Sequence, residues 1–402
     1  ADAIRQRLTD AAARDARWRD GRVASLVYYA SEDILEVAKA AYLQYFSENG
    51  LGLKAFPSLA RFEREIVEML SNLFHGLAAV GSVTSGGTES NLLAVKTARD
   101  QAAERKQVPG TPEIVMPVTA HASFDKAAHY FGLKAVRTHI GPDFRADVAG
   151  MRAAIGEKTV LLVASAPSYV HGVIDPVEEI GKLALEFDLP LHIDSCMGGF
   201  MLPFLEQAGY PLPPFDFRVA GVTSISADIH KYGFAAKGAS AILYRDQTTY
   251  RYQPFSFEGW PSGRYATPNI LGTRSGGAIA AAWAVMNYLG QEGYLRLARQ
   301  IMDITSQFIN GIRAIPGLEV WGLPQMSLFG YGSRTLDIFA VAEEMEAKGW
   351  YVNRQQDPPG IHLTITPVHQ RVMAEYLADL AGAVRQVAAA GRKATDNTVN
   401  YA

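Results

Sequence analysis

The chain has 402 residues, with 38 Lys or Arg against 41 Asp or Glu, for a formal net charge of −3. No basic excess is available to neutralise a phosphate backbone, so a nucleic-acid partner is not expected. No run of about 18 apolar residues is present, so no membrane span is expected in this chain either. An apolar share of 48% suits a globular protein with one large and one smaller domain. The single cysteine, Cys196, permits no internal disulfide and fits a reducing, cytoplasmic compartment. The start at Ala1 shows no signal-like apolar stretch and leaves open a trimmed anchor or a peripheral membrane contact.

Residues 1–70 read as an N-terminal helical segment. After an Arg/Ala/Asp-rich opening, Ser31-Glu32-Asp33 caps an apolar helix that begins at Ile34. Gly and Pro make 49–57 a loop, and a long amphipathic helix follows over 58–74. Residues 71–288 form the large domain, in which short apolar runs alternate with helical stretches. Strands are expected at 114–116, 134–138, 160–164, 189–193, 223–226 and 241–244, and helices near 89–106, 123–131, 146–156 and 176–188. That alternation predicts an α/β fold whose mostly parallel central sheet is covered on both faces, with its ligand beyond the carboxyl ends of the strands. The Ala-rich stretch 276–290 reads as a packed helix. Residues 289–402 form a smaller α+β domain: a helix over 291–314, a strand at 318–321, a helix near 335–348, a strand at 361–365 and a last helix over 369–390.

Chemistry concentrates at strand ends. In Ser226-Ala227-Asp228-Ile229-His230-Lys231-Tyr232-Gly233 a lysine follows an apolar run and precedes a Gly-rich turn. Shielded by apolar neighbours, such a lysine can lose its charge and attack an aldehyde. Upstream, Asp194 closes the run His192-Ile193-Asp194-Ser195-Cys196-Met197-Gly198-Gly199. A carboxylate there needs a partner, and a protonated pyridine nitrogen is one. A Schiff-base lysine together with an aspartate against a pyridinium is what pyridoxal 5'-phosphate (PLP) requires of its protein. Cys196 beside that aspartate reads as a small packing contact to the ring, because buried thiols are usually inert.

Other candidates are weaker alone. Ser85-Gly86-Gly87-Thr88-Glu89-Ser90 is a strand-to-helix turn that can cradle a phosphate on backbone N–H groups, or be a plain glycine turn with Thr88 as its cap. His121, in Thr119-Ala120-His121-Ala122-Ser123, suits either a ring-stacking imidazole or a core histidine. Lys237, six positions after Lys231, offers a point charge for a second, substrate phosphate. Tyr169, on the loop Ala166-Pro167-Ser168-Tyr169, offers a phenol that relays a proton or is merely a surface aromatic.

Taken together, Ser85-Gly86-Gly87-Thr88-Glu89-Ser90, the string from His192 to Phe200 and the string from Ser226 to Gly233 resemble the group II PLP-dependent decarboxylase family, within PLP fold type I. Ala235-Ala236-Lys237-Gly238-Ala239-Ser240, Gly272-Thr273-Arg274-Ser275-Gly276-Gly277, Pro358-Pro359-Gly360-Ile361-His362-Leu363 and Cys196 are similar to its sphingosine-1-phosphate lyase branch. The resemblance runs from about Val23 to Val387. It implies that Lys231 carries the cofactor, that His121 stacks on its ring and that Asp194 partners the ring nitrogen. Gly87, Thr88 and His230 match phosphate contacts. Thr273 matches a residue reaching the cofactor phosphate of the neighbouring subunit, which implies a homodimer with shared sites. Tyr28, Tyr169 and Lys237 match residues around the substrate phosphate and the reacting centre, and Tyr401 aligns with a C-terminal tyrosine folding over the site. One departure stands out: the family places a histidine before the Phe-Pro pair, where this chain has Gly52 in Leu51-Gly52-Leu53-Lys54-Ala55-Phe56-Pro57.

The activity so implied is a retro-aldol cleavage of sphingosine 1-phosphate to a long-chain aldehyde and phosphoethanolamine, with Tyr169 or the substrate phosphate relaying the proton of the C3 hydroxyl. The alternatives are an amino-acid decarboxylase on the same scaffold, which releases carbon dioxide, and a non-catalytic PLP-binding protein. Cys196 and Lys237 favour the lyase over the first, and the presence of both Lys231 and Asp194 weighs against the second.

Overall fold

The structure, a computed structural model, describes residues 1–105 and 108–400. The chain forms two compact units: Ser31–Arg299 with Gly322–Met326, and Ala1–Ala30 with Gln300–Trp321 and Ser327–Ala402. The compositional division at residues 70 and 288 follows changes of pattern along the chain and is a different partition.

The larger unit is built on a seven-stranded sheet: β1 (Val80–Thr84), β2 (Glu113–Pro117), β3 (Lys134–Thr138), β4 (Thr159–Ser165), β5 (Leu191–Asp194), β6 (Val222–Ala227) and β7 (Ser240–Tyr244), in the order β1-β7-β6-β5-β4-β2-β3. Every pairing from β3 across to β6 is parallel. All residues of β4 and β5 are buried, which is why these segments are near-continuous apolar runs without alternation. Helices Gly87–Arg105, Ser123–Phe131, Val148–Ala154 and Val177–Glu186 follow the first four strands, as the sequence pattern predicts.

Strand β7 is antiparallel to both β6 and β1. A parallel return needs a crossover of a dozen or more residues, usually helical, whereas residues 228–239 contain no helix and turn straight back. That tight return carries Lys231 and Lys237.

Two features depart from the sequence pattern, and one boundary follows it. Ser31 stands at the N-cap of Glu32–Gln44 in an extended conformation, but its side chain makes no capping bond to the helix. The helices expected over 276–290 and 291–314 are both present within Gly276–Arg313, parted at Gly290, which lies at the non-helical φ 55° and ψ −170°. A two-stranded hairpin, Phe255–Phe257 with Tyr265–Thr267, has no counterpart in the reading above.

The smaller unit holds a four-stranded antiparallel sheet in the order Glu319–Val320, Leu328–Gly332, Gly360–Thr364, Asn353–Gln355. Phe308, Ile312, Phe329, Tyr331, Trp350, Tyr376 and Leu380 lie in its core. Residues 21–30 are not helical. Val23 bridges Tyr351, and the Thr364 N–H donates to the Ala24 carbonyl at 2.7 Å. Among the described residues no helix is long and apolar enough to cross a membrane.

Candidate active site

Asp194, the last residue of β5, is buried and held from two sides. The Cys196 backbone N–H donates to its Oδ1 at 3.0 Å and Asn91 Nδ2 donates to its Oδ2 at 3.1 Å. Asn91 sits one helical turn after Gly87 and spends its whole amide on this site. Its second N–H goes to Ser123 Oγ at 2.9 Å, while its Oδ1 accepts from Ser226 Oγ at 3.0 Å and lies 3.2 Å from His192 Nε2. Ser123 Oγ is in turn 2.9 Å from His121 Nδ1, which also accepts from the Ser123 N–H at 3.1 Å. The tautomer this favours carries its proton on Nε2. Burial pulls the His121 imidazole below its usual pKa, against the opposing pull of Asp194, so the ring is neutral near pH 7. Burial likewise takes His192 down to about 4 and pushes the Cys196 thiol up. The Cys196 side chain is buried, with its Sγ 3.3 Å from Ser226 Oγ.

Lys231 lies in the return between β6 and β7. Its Nζ is 3.0 Å from Asp228 Oδ2, and His230 Nε2 is 3.6 Å from the same oxygen. Ser240 Oγ donates to Asp228 Oδ1 at 2.6 Å. Burial alone would raise the Asp228 carboxyl, but Lys231, His230 and Ser240 hold it below its usual range. His230 Nδ1 accepts from the Ala239 N–H at 3.3 Å, and burial lowers the imidazole to about 4. The turn is pinned by Tyr294, whose hydroxyl donates to the Gly233 carbonyl at 2.9 Å. Glycine is required at 233, where a Cβ would stand 2.4 Å from the Ile229 carbonyl oxygen. Lys237 Nζ donates to the His230 carbonyl at 3.2 Å. The residue as a whole is exposed, yet neighbouring atoms displace much of its ammonium's hydration. That desolvation, reinforced by Lys231, lowers its pKa to about 8.

The glycine turn after β1 meets both groups. A Cβ on Gly87 would lie 2.6 Å from Cys196 Sγ and 2.8 Å from each Asp228 carboxylate oxygen, so only glycine lets the helix start here. Buried Glu89 closes the turn by accepting from the Ser85 N–H at 2.6 Å. It also accepts from the Ile270 and Leu271 N–H groups at 2.9 and 3.2 Å.

The structure thus gathers Asp194, His121, Cys196, Gly87, His230, Lys231 and Lys237 around the carboxyl ends of β5 and β6. Tyr169 is half-buried on the loop after β4, whose end pairs with the end of β5. Thr88 lies in the first turn of its helix. Thr273 is exposed in the single chain, two residues past Leu271. Tyr28 is half-buried in the smaller unit, and Tyr401 lies outside the described residues. Gly52 accepts no φ penalty, and a Cβ there would meet nothing closer than 3.8 Å. Two residues given no role by the sequence pattern, Asn91 and Asp228, prove central. The available signal was an amide and an acid at positions that burial would make costly without partners.

The donor set suits PLP: a carboxylate for the ring nitrogen, an amine for the aldehyde, and a helix start stripped of Cβ atoms for the phosphate. Thr119 Oγ1, in the turn bearing His121, is buried without a hydrogen-bond partner, which leaves a donor for a bound polar group.

The family described as the pyridoxal-dependent decarboxylase conserved domain matches residues 17–329. The chain is 44% identical over 389 residues to sphingosine-1-phosphate lyase 1 of Mus musculus, covering 96% of this chain and 68% of that protein. The solved structure of a Burkholderia pseudomallei sphingosine-1-phosphate lyase superposes with a TM-score of 0.93 at 37% identity, covering 97% of this chain and 92% of that one. A probable L-tyrosine/L-aspartate decarboxylase of Methanothermobacter thermautotrophicus is 34% identical over 341 residues, 85% of this chain and 91% of that protein.

Proposed function

The chain belongs to the pyridoxal-dependent decarboxylase family, and from that premise we propose that it is a PLP-dependent carbon–carbon lyase acting on sphingosine 1-phosphate. It cleaves the C2–C3 bond to a long-chain aldehyde and phosphoethanolamine. The observation that carries this reading is the likeness, over nearly the whole chain, to proteins named for that substrate. Product analysis tests it. PLP-loaded protein given sphingosine 1-phosphate is expected to yield aldehyde and phosphoethanolamine in equal amounts. Carbon dioxide from tyrosine or aspartate, with no aldehyde from the phosphorylated base, would favour the decarboxylase reading instead.

When bound, PLP supplies a carbonyl that an amine can capture and a cationic ring that accepts the electron pair left by bond cleavage. Lys231 provides the amine that holds it. Asp194 keeps a proton at the ring nitrogen, and Asn91 and the Cys196 N–H keep Asp194 oriented. Neutral His121 covers the ring and excludes water. Gly87, Thr88 and His230 receive the cofactor phosphate, and Lys237 attracts the substrate phosphate. Thr273, exposed in the single chain, serves a neighbouring subunit in a homodimer, and the compartment is cytoplasmic.

Tyr169 removes the proton of the substrate C3 hydroxyl. Replacing it with Phe is expected to lower kcat by about 10²-fold or more, the scale of a lost acid/base; an unchanged kcat would reduce it to a packing residue. Lys237 sets a pH dependence. With a pKa of about 8, it is cationic below that pH and neutral above. KM for the phosphorylated substrate should therefore rise as pH climbs through about 8, and Lys237→Arg should flatten the rise. A KM that stays level in the unmodified protein across this range would assign the phosphate to other groups.

A further inference from the structure

The roles above leave Asp228 without a task, although it is 2% exposed and central to the site. We propose that Asp228 is a positioning residue for Lys231: its carboxylate holds Nζ as an ammonium at the site and sets the pH at which that amine becomes nucleophilic. This rests on Lys231 being the residue that carries the cofactor.

The acid's location argues for the role. Its oxygens face Lys231 Nζ at 3.0 Å on one side and the start of the Gly87 helix on the other. A carboxylate beside a turn suited to a phosphate repels that phosphate, so anion binding does not explain an acid here. Neither does packing, since a buried carboxylate without a cation is costly. The facing cation explains it. Ser240 fixes the acid's orientation through a 2.6 Å bond to Oδ1, and Ser240 is itself 3.0 Å from Ser90 Oγ, which lies 2.7 Å from Thr84 Oγ1. The acid is therefore locked to β1, β7 and the glycine turn.

Among the described residues, the other charged or titratable groups around Lys231 include His230 and Lys237 on its own segment, and His121, Asp194 and Cys196 from neighbouring elements. His121, His230 and Cys196 are neutral near pH 7 because burial disfavours their charged forms. Lys237 opposes the ammonium. Asp194 is engaged by Asn91 and the Cys196 N–H. Asp228 stands at ion-pair distance.

The consequence is chemical. Aldehyde capture requires the neutral amine: its lone pair forms a bond to the aldehyde carbon, and the carbonyl oxygen leaves as water with the two amine protons. One proton must first leave the ammonium, and Asp228 delays that loss to higher pH. When substrate later displaces the lysine, the same carboxylate favours return of Nζ to its ammonium form, in which it can donate a proton.

The test is the pH–rate profile of PLP capture by ligand-free full-length protein, followed by absorbance between about pH 6 and pH 10. Asp228→Asn is expected to move the midpoint down by about one pH unit or more, the scale of a removed counter-charge, and to speed capture at neutral pH by about tenfold. An unmoved midpoint would overturn the proposal, even with a uniform change of rate at every pH, which would report phosphate attraction alone. Should Asp228→Asn not fold, Ser240→Ala carries the test. Loss of the donor to Oδ1 leaves more charge facing Lys231 and should move the midpoint up, and no movement would overturn the proposal. Lys231→Ala controls the premise: if it captures PLP covalently as the unmodified protein does, the assignment of Lys231 fails, not the Asp228 argument built upon it.

Discussion

Lys231→Ala is expected to abolish turnover of sphingosine 1-phosphate, with a loss on the order of 10⁴-fold or more, as when a covalent catalyst is deleted. The argument is geometric. Lys231 lies in a short helix-free return that both β6 and β7 fix, and Lys237, the other lysine of that return, bonds the His230 carbonyl, so it does not simply replace the lost amine. The variant should still take up PLP reversibly, since Asp194, Gly87 and Thr88 are untouched. Retained turnover within a few-fold of the unmodified protein would remove Lys231 from the mechanism.

Asp194→Asn is the second large effect. The carboxylate accepts from Asn91 Nδ2 and from the Cys196 N–H, and an amide in its place must turn an N–H toward one of those donors. It also cannot stabilise a proton on the ring nitrogen. A fall in kcat of about 10²–10³-fold is expected, the scale for deleting one preorganised electrostatic partner, together with a loss of about 1–3 kcal/mol in the stability of the ligand-free protein. A normal kcat at reduced stability would make Asp194 structural only.

The lysine and the aspartate are legible in sequence because Asp194 ends one strand-like run and Lys231 closely follows another, and a charge at such a place needs a reason. The β–α alternation was legible for the same cause: β4 and β5, buried throughout, leave no polar face to confuse the period. What escaped was information carried across space. The reversal of β7 depends on the missing crossover helix. Asn91 looks like an ordinary helix residue until His192, Ser226, Ser123 and Asp194, drawn from three other segments, are seen to share its amide. Asp228 lies in the same motif as Lys231, yet its pairing depends on the turn of the chain between them. The strands Leu328–Gly332 and Asn353–Gln355 are short and mixed in composition, and both take their register against Gly360–Thr364.

The most direct test of the account is borohydride reduction of PLP-treated protein, followed by peptide mapping. A single pyridoxyl group on the peptide containing Lys231 is the predicted result. No modification, or modification at another lysine with Lys231 intact, would contradict it.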